Sequence, residues 1–147
     1  MHRRPRYAFS VGALLLTACT DVASVPPRLA ATYVVETVNG RRPPAVAAEG
    51  NGFQVTIIAD TLEFKLNGEV ERRSTRRFAG VLADVADTTV HTDASMSYTI
   101  DGDKLAIFFV CPANANCIGP ISGHIDAHRL DIIDVGMSGA SLHFTTR

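Results

Sequence analysis

Residues 61–78 read TLEFKLNGEVERRSTRRF, and the way this stretch turns back on itself decides the fold. Asn67-Gly68 is a turn dipeptide, since both residues accept the positive φ that tight hairpins demand. The flanks alternate with period two, as strands do and helices do not. A two-residue Asn67-Gly68 turn would place Phe64 on a face with Glu71. A three-residue Leu66-Asn67-Gly68 loop, with Gly68 left-handed, pairs Phe64 with Val70 instead. The second register keeps apolar residues together and is preferred. It places Val70, Arg72, Ser74, Arg76 and Phe78 on one face, and Glu71, Arg73, Thr75 and Arg77 on the other.

The same signature recurs outward from this hairpin. Asn39-Gly40, Asn51-Gly52 and Asp101-Gly102 punctuate short β-branched and aromatic segments. Strands are expected near 32–38, 53–59, 61–66, 69–78, 95–101, 104–110, 118–125, 129–135 and 140–146, the second and third forming one bent strand if they join across Asp60. Leu105, Ile107 and Phe109 alternate with Lys104, Ala106 and Phe108, and Leu130 and Ile132 with Asp131 and Ile133. Ala79–Ala94 carries no clear pattern and is compatible with a loop, an edge strand or a helical turn. After Ala30 no segment shows a sustained helical period. About eight antiparallel strands joined by short turns predict an all-β, up-and-down barrel, which leaves no sheet edge open; a two-sheet β-sandwich is the alternative.

Tyr33-Val34-Val35-Glu36-Thr37-Val38-Asn39-Gly40 followed by Pro43-Pro44 resembles the opening of small bacterial lipocalin-like lipoprotein domains. Leu62-x-Phe64 before Asn67-Gly68, the segment Tyr98–Leu105, and Gly119–Leu130 fit the same pattern, so the resemblance spans most of residues 31–147. It implies an eight-stranded barrel and carries no catalytic residues. The glycine usual before the first tyrosine is replaced by Ala31-Thr32.

The N-terminus is consistent with that class. Arg3, Arg4 and Arg6 precede an apolar stretch, Tyr7–Leu16, that ends in Leu16-Thr17-Ala18-Cys19. A positive start, a short apolar core and small residues before a cut make a secretory signal. The last four residues resemble the lipobox of bacterial lipoproteins, which implies cleavage before Cys19 and a lipid on its sulfur; the alternative is an ordinary signal peptide with a chance cysteine. Thr20 and Asp21 follow, and by analogy lean toward the periplasmic face of the outer membrane. The organisation is then a signal peptide at 1–18, a lipidated tether at 19–30 containing Pro26-Pro27, and a barrel domain at 31–147. The expected location is the bacterial cell envelope, with the membrane reached through the N-terminal lipid.

Composition limits the function. The 147 residues are 46% hydrophobic and 20% charged, with net charge −1, as in a globular domain. Loss of the signal leaves eleven basic against fifteen acidic residues, so nothing points to nucleic acid. Cys111 and Cys117 remain after Cys19 is lipidated, and in an oxidising compartment they are expected to form a disulfide that clips a loop. Five intervening residues and no second pair fit a metal site badly.

Three constellations bear on chemistry. Arg72 and Arg76 share a face, toward the barrel interior if the register holds. Two guanidiniums in a cavity need carboxylates, water or an anionic ligand, so a small anionic or amphiphilic ligand is one reading. The other is a solvated arginine-rich edge paired with Glu63, Glu69 and Glu71. His124, Asp126 and His128 form H-x-D-x-H, which is read as a hairpin corner with Asp126 in the turn rather than as a zinc site. His91 and His143 read as isolated, exposed strand residues. No nucleophile elbow, phosphate loop or dinucleotide fingerprint occurs, so neither enzyme activity nor a cofactor is expected. Two functional readings remain: a barrel that binds a small apolar or amphiphilic molecule, and a side-chain-filled barrel that acts through its loops.

Overall fold

The computed structural model describes residues 29–80, 87–110 and 119–147. These residues form β1 (Ala31–Val38), β2 (Ala45–Gly50), β3 (Phe53–Phe64), β4 (Glu69–Gly80), β5 (Thr88–Asp101), β6 (Lys104–Phe109), β7 (Ile121–Ile125), β8 (Arg129–Asp134) and β9 (Ala140–Thr146), with a 3₁₀ turn at Val135–Met137. From β1 the wall runs through β9, β8, β7, β6, β5, β4 and β3, and a β1–β3 pairing closes it. The result is an eight-stranded antiparallel up-and-down barrel with β2 as an extra strand, not a sandwich.

The deciding hairpin takes the preferred register. Phe64 faces Val70, the Lys65 N–H donates to the Glu69 carbonyl at 2.8 Å, and Gly68 sits at φ 86°. At that φ a Cβ would be strained, so glycine is the residue the turn requires.

Four expectations change. The segments expected on either side of Asp60 are one strand, β3, irregular not at Asp60 but at Ile58, where the pairing with β4 slips between Ile57 and Ala59. β2 was not anticipated: Ala-Val-Ala-Ala-Glu-Gly has little strand character of its own, and it is held by pairing with the first half of β3. The strand expected at 95–101 begins at Thr88, so residues 88–94 of the unpatterned stretch belong to β5. Strand 118–125 begins at Ile121 among the described residues.

The two ends of the barrel differ. Near the Asn67-Gly68 and Asp101-Gly102 turns the interior is filled by Tyr33, Leu62, Phe64, Val70, Met96, Leu130 and Phe144, each at most 2% exposed. Tyr33, Phe64 and Tyr98 meet edge to face at 5.7 and 4.9 Å between ring centres. Leu29 lies across this end: the Tyr98 hydroxyl accepts from its N–H at 2.8 Å and stands 3.0 Å from its carbonyl. Burying each large side chain contributes roughly 1.5–3 kcal/mol. Toward the end where β4 finishes and β5 begins, the interior turns polar, and Phe78, Val90 and Phe109 are each 37–38% exposed.

Close strand approach has one strict requirement. Gly123 of β7 sits between Leu105 and Ile132, and a Cβ there would lie 2.3 Å from the Asp131 carbonyl oxygen and 2.7 Å from Ile132 Cγ2. The first obstacle is backbone and cannot swing aside. Gly123→Ala is therefore expected to lower stability by about 1–3 kcal/mol, as overpacking does. Gly119→Ala, with nothing within 4 Å of its Cβ, should stay within about 0.5 kcal/mol. Urea midpoints at constant m measure the difference.

Candidate functional site

The site begins with the alternation of β4. Val70, Arg72 and Ser74 are buried and Arg76 is half-buried, while Arg73 and Arg77 are exposed. The arginines thus divide by parity, as the three-residue loop requires. The solvated-edge reading holds for Arg73, which lies 3.2 Å from Glu71 and 3.6 Å from Glu63. Glu69 is instead held by Asn67 at 2.7 Å.

Arg72 meets two buried carboxylates. The slip at Ile58 reverses the parity of β3, so that Asp60 joins Leu62 and Phe64 on the inner face, opposite Ser74. On β8 the inward series Leu130, Ile132 continues to Asp134. Arg72 Nη2 donates to Asp60 Oδ2 at 2.5 Å, and Nε lies 3.1 Å from both Asp60 oxygens. Nη1 donates to Asp134 Oδ2 at 2.7 Å. Asp134 Oδ1 accepts the Gly136 N–H at 3.0 Å and so caps the 3₁₀ turn. Exposures of 4, 0 and 3% for Arg72, Asp60 and Asp134 bury all three charged groups.

Burial pushes the Asp60 carboxyl above its ordinary range; the charge and hydrogen bonds of Arg72 oppose this, and Asp134 adds to it. Burial also opposes the charge on Arg72, but Asp60 and Asp134 reverse that and hold the guanidinium protonated. Arg76, one turn of the pleat above, is held below its ordinary value by burial and by the charge of Arg72. Its Nε is buried without a hydrogen-bond partner.

Arg76 borders a pocket of about 230 Å³ at the polar end of the barrel, together with Arg72, Ser74, Thr92, Ala94, Phe109, Asp134 and Gly136. The two arginines that the sequence singled out therefore differ. Arg72 is engaged by carboxylates, whereas Arg76 offers a guanidinium to the pocket. Sequence reasoning missed Asp60 and Asp134. The alternation of β8 signals Asp134, but Asp60 turns inward only once the irregularity at Ile58 is known.

The other candidates separate from this site. Asp126 Oδ1 accepts the N–H groups of His128 and Arg129, both at 2.8 Å, so it makes the turn. His124 reaches Asp103 at 3.3 Å. Among the described residues no cluster of His, Cys, Asp and Glu is placed to hold a metal. His143 is not isolated: on the outer wall it bonds Asp131 and lies 3.2 Å from Arg129 and 3.7 Å from Glu36. His91 is exposed and contacts Thr75 at 3.0 Å. A larger depression, about 590 Å³, runs across the outer wall over Ala106, Ser122 and Gly123, but no buried charge lines it. Cys19, Cys111 and Cys117 lie outside the described residues. Family models, curated proteins and solved structures contain no match to this chain.

The charged layer can be tested by stability. Arg72→Met leaves two carboxylates buried without their cation and is expected to cost about 3–5 kcal/mol. The double variant Arg72→Met with Asp60→Leu should lose less than the single one, because it removes a charge together with its partner. The raised Asp60 carboxyl gives folding a contribution that is full below the ordinary carboxylate range and declines as pH rises through its folded value. Urea denaturation across pH reads both effects.

Proposed function

We propose that this chain is a lipid-anchored protein of the bacterial envelope, related in kind to lipocalin-like lipoproteins, that binds a small amphiphilic acid at the mouth of its barrel. The observation that carries the binding role is Arg76, whose buried Nε has no partner beside a 230 Å³ pocket. A carboxylate entering the pocket would meet the Arg76 guanidinium as a charge-assisted donor, and such bonds contribute about 1.5–3 kcal/mol. Arg72 acts differently, as the support beneath the pocket.

The lower interior limits the cargo. Tyr33, Leu62, Met96 and Phe144 occupy the space in which a large barrel would hold a long chain. A ligand therefore sits head-inward on Arg76, with its apolar part against Phe109 and the rim residues Phe78 and Val90. This is a binding role rather than a catalytic one. The same filled interior also favours the second reading, a barrel that acts through its surface, and the ligand experiment separates the two.

The anchor and the pocket are tested separately. Cells expressing the full chain with labelled palmitate should transfer label to the wild type and none to Cys19→Ser; label on neither would remove the anchor. Calorimetry of the purified full-length protein with hexanoate should show binding that hexanamide lacks. Arg76→Gln should weaken it by about tenfold or more, the loss of one charge-assisted contact. Absence of hexanoate binding in the wild type would favour the surface reading.

A further inference from the structure

The proposed pocket carries a charge balance that defines its ligand further. Two cations, Arg72 and Arg76, and two anions, Asp60 and Asp134, share the polar end of the interior. Among the described residues, the other elements around the pocket add no charge to this group. β5 contributes Thr92 and Ala94, and β6 contributes Phe109. The charged neighbours Arg73, Arg77, His91 and Asp93 are exposed, on the opposite parity of β4 and β5. With every group ionised the enclosed set is neutral. A carboxylate arriving at Arg76 leaves it with one uncompensated negative charge in surroundings where such charge is costly.

Building on the binding role proposed above, we infer that the pocket takes a small monocarboxylic acid together with one proton, the proton coming from solvent to the enclosed Asp60 carboxylate while the ligand stays ionised on Arg76. The two carboxylates are joined through one guanidinium: Asp60 receives Nε and Nη2, and Asp134 receives Nη1 at 2.7 Å. Both therefore face the same cation, and a proton taken up there offsets the charge that the ligand adds to the enclosed set. Burial favours Asp60 as its principal holder, since that carboxyl is fully enclosed and already lifted above its ordinary range. By reciprocity, a proton that ligand binding draws in must itself strengthen binding. The site is then one that loads under mild acid and releases as pH rises.

Calorimetry of the full-length protein with hexanoate near neutral pH, in two cationic buffers of different ionisation enthalpy, counts the protons. About one proton taken up per hexanoate is expected, with affinity falling by up to about tenfold per pH unit. Asp60→Asn keeps the pair one charge less negative, so it should bind hexanoate more tightly than wild type at pH above neutral and with the proton uptake lost. Should that variant fail to fold, the wild-type proton count decides alone. Hexanoate binding that depends on Arg76 but takes up no proton would overturn this inference and leave the pocket assignment standing. No hexanoate binding at all would overturn both.

Discussion

The guanidinium of Arg72 is the interaction on which the rest of this barrel depends. It reaches from β4 to Asp60 on β3 and across the interior to Asp134 at the end of β8, so one side chain ties three strands together. The energetic worth of such a buried group is not simply additive. Desolvating three charges costs several kcal/mol per ion, and good geometry does little more than return it. What the contact supplies is register. A slip of β4 by one residue would turn Glu71, Arg73, Thr75 and Arg77 inward, which takes Val70 from its place opposite Phe64 and adds the Glu71 carboxylate to the face that holds Asp60 and Asp134. Alternative registers therefore lose both the apolar contact of Val70 with Phe64 and the three-way pairing of Arg72.

This device works only because β3 is irregular. In a regular strand, Val55 and Ile57 on the inner face would be followed by Ala59 and Thr61, and Asp60 would face solvent. The slip at Ile58 inserts one residue, exposes Ile58 and moves Asp60, Leu62 and Phe64 inside. The same bend lets β3 serve two partners, β2 along its first half and β1 along its second. Barrel closure and the burial of Asp60 thus have a common cause. An irregularity that reads locally as a defect sets both the topology and the charged layer.

The elements differ in how far they could be read from residues. Strands with clear alternation, such as Leu130-Asp131-Ile132 and the β3–β4 hairpin, were legible because one face is apolar and the turn chemistry admits few registers. The parity of the four arginines followed from that register. β2 was not legible, because alanines carry no periodic signal and its pairing is imposed by β3. The first half of β5 was obscured for a different reason. It extends beyond the wall formed with β6, so neither of its faces is consistently buried and alternation has no cause there. Asp60 was hidden because its direction depends on a bulge rather than on residue type.

The contrast between the two ends of the barrel links the fold to its proposed role. At one end, aromatic rings and the Leu29 strap exclude water, and the polar atoms present, the hydroxyls of Tyr33 and Tyr98, bond to backbone. At the other, charge replaces apolar volume. A barrel of this size can be just filled by side chains or can hold one small molecule, and here the boundary between those regimes lies at the Arg72 layer. Below it, packing supplies stability and leaves no room. Above it, Arg76 has lost much of its hydration without gaining a bonded carboxylate, because both nearby carboxylates are turned to Arg72. The pairing that satisfies one arginine is thus what keeps the other available, so structural support and the proposed binding role arise from a single division of charge.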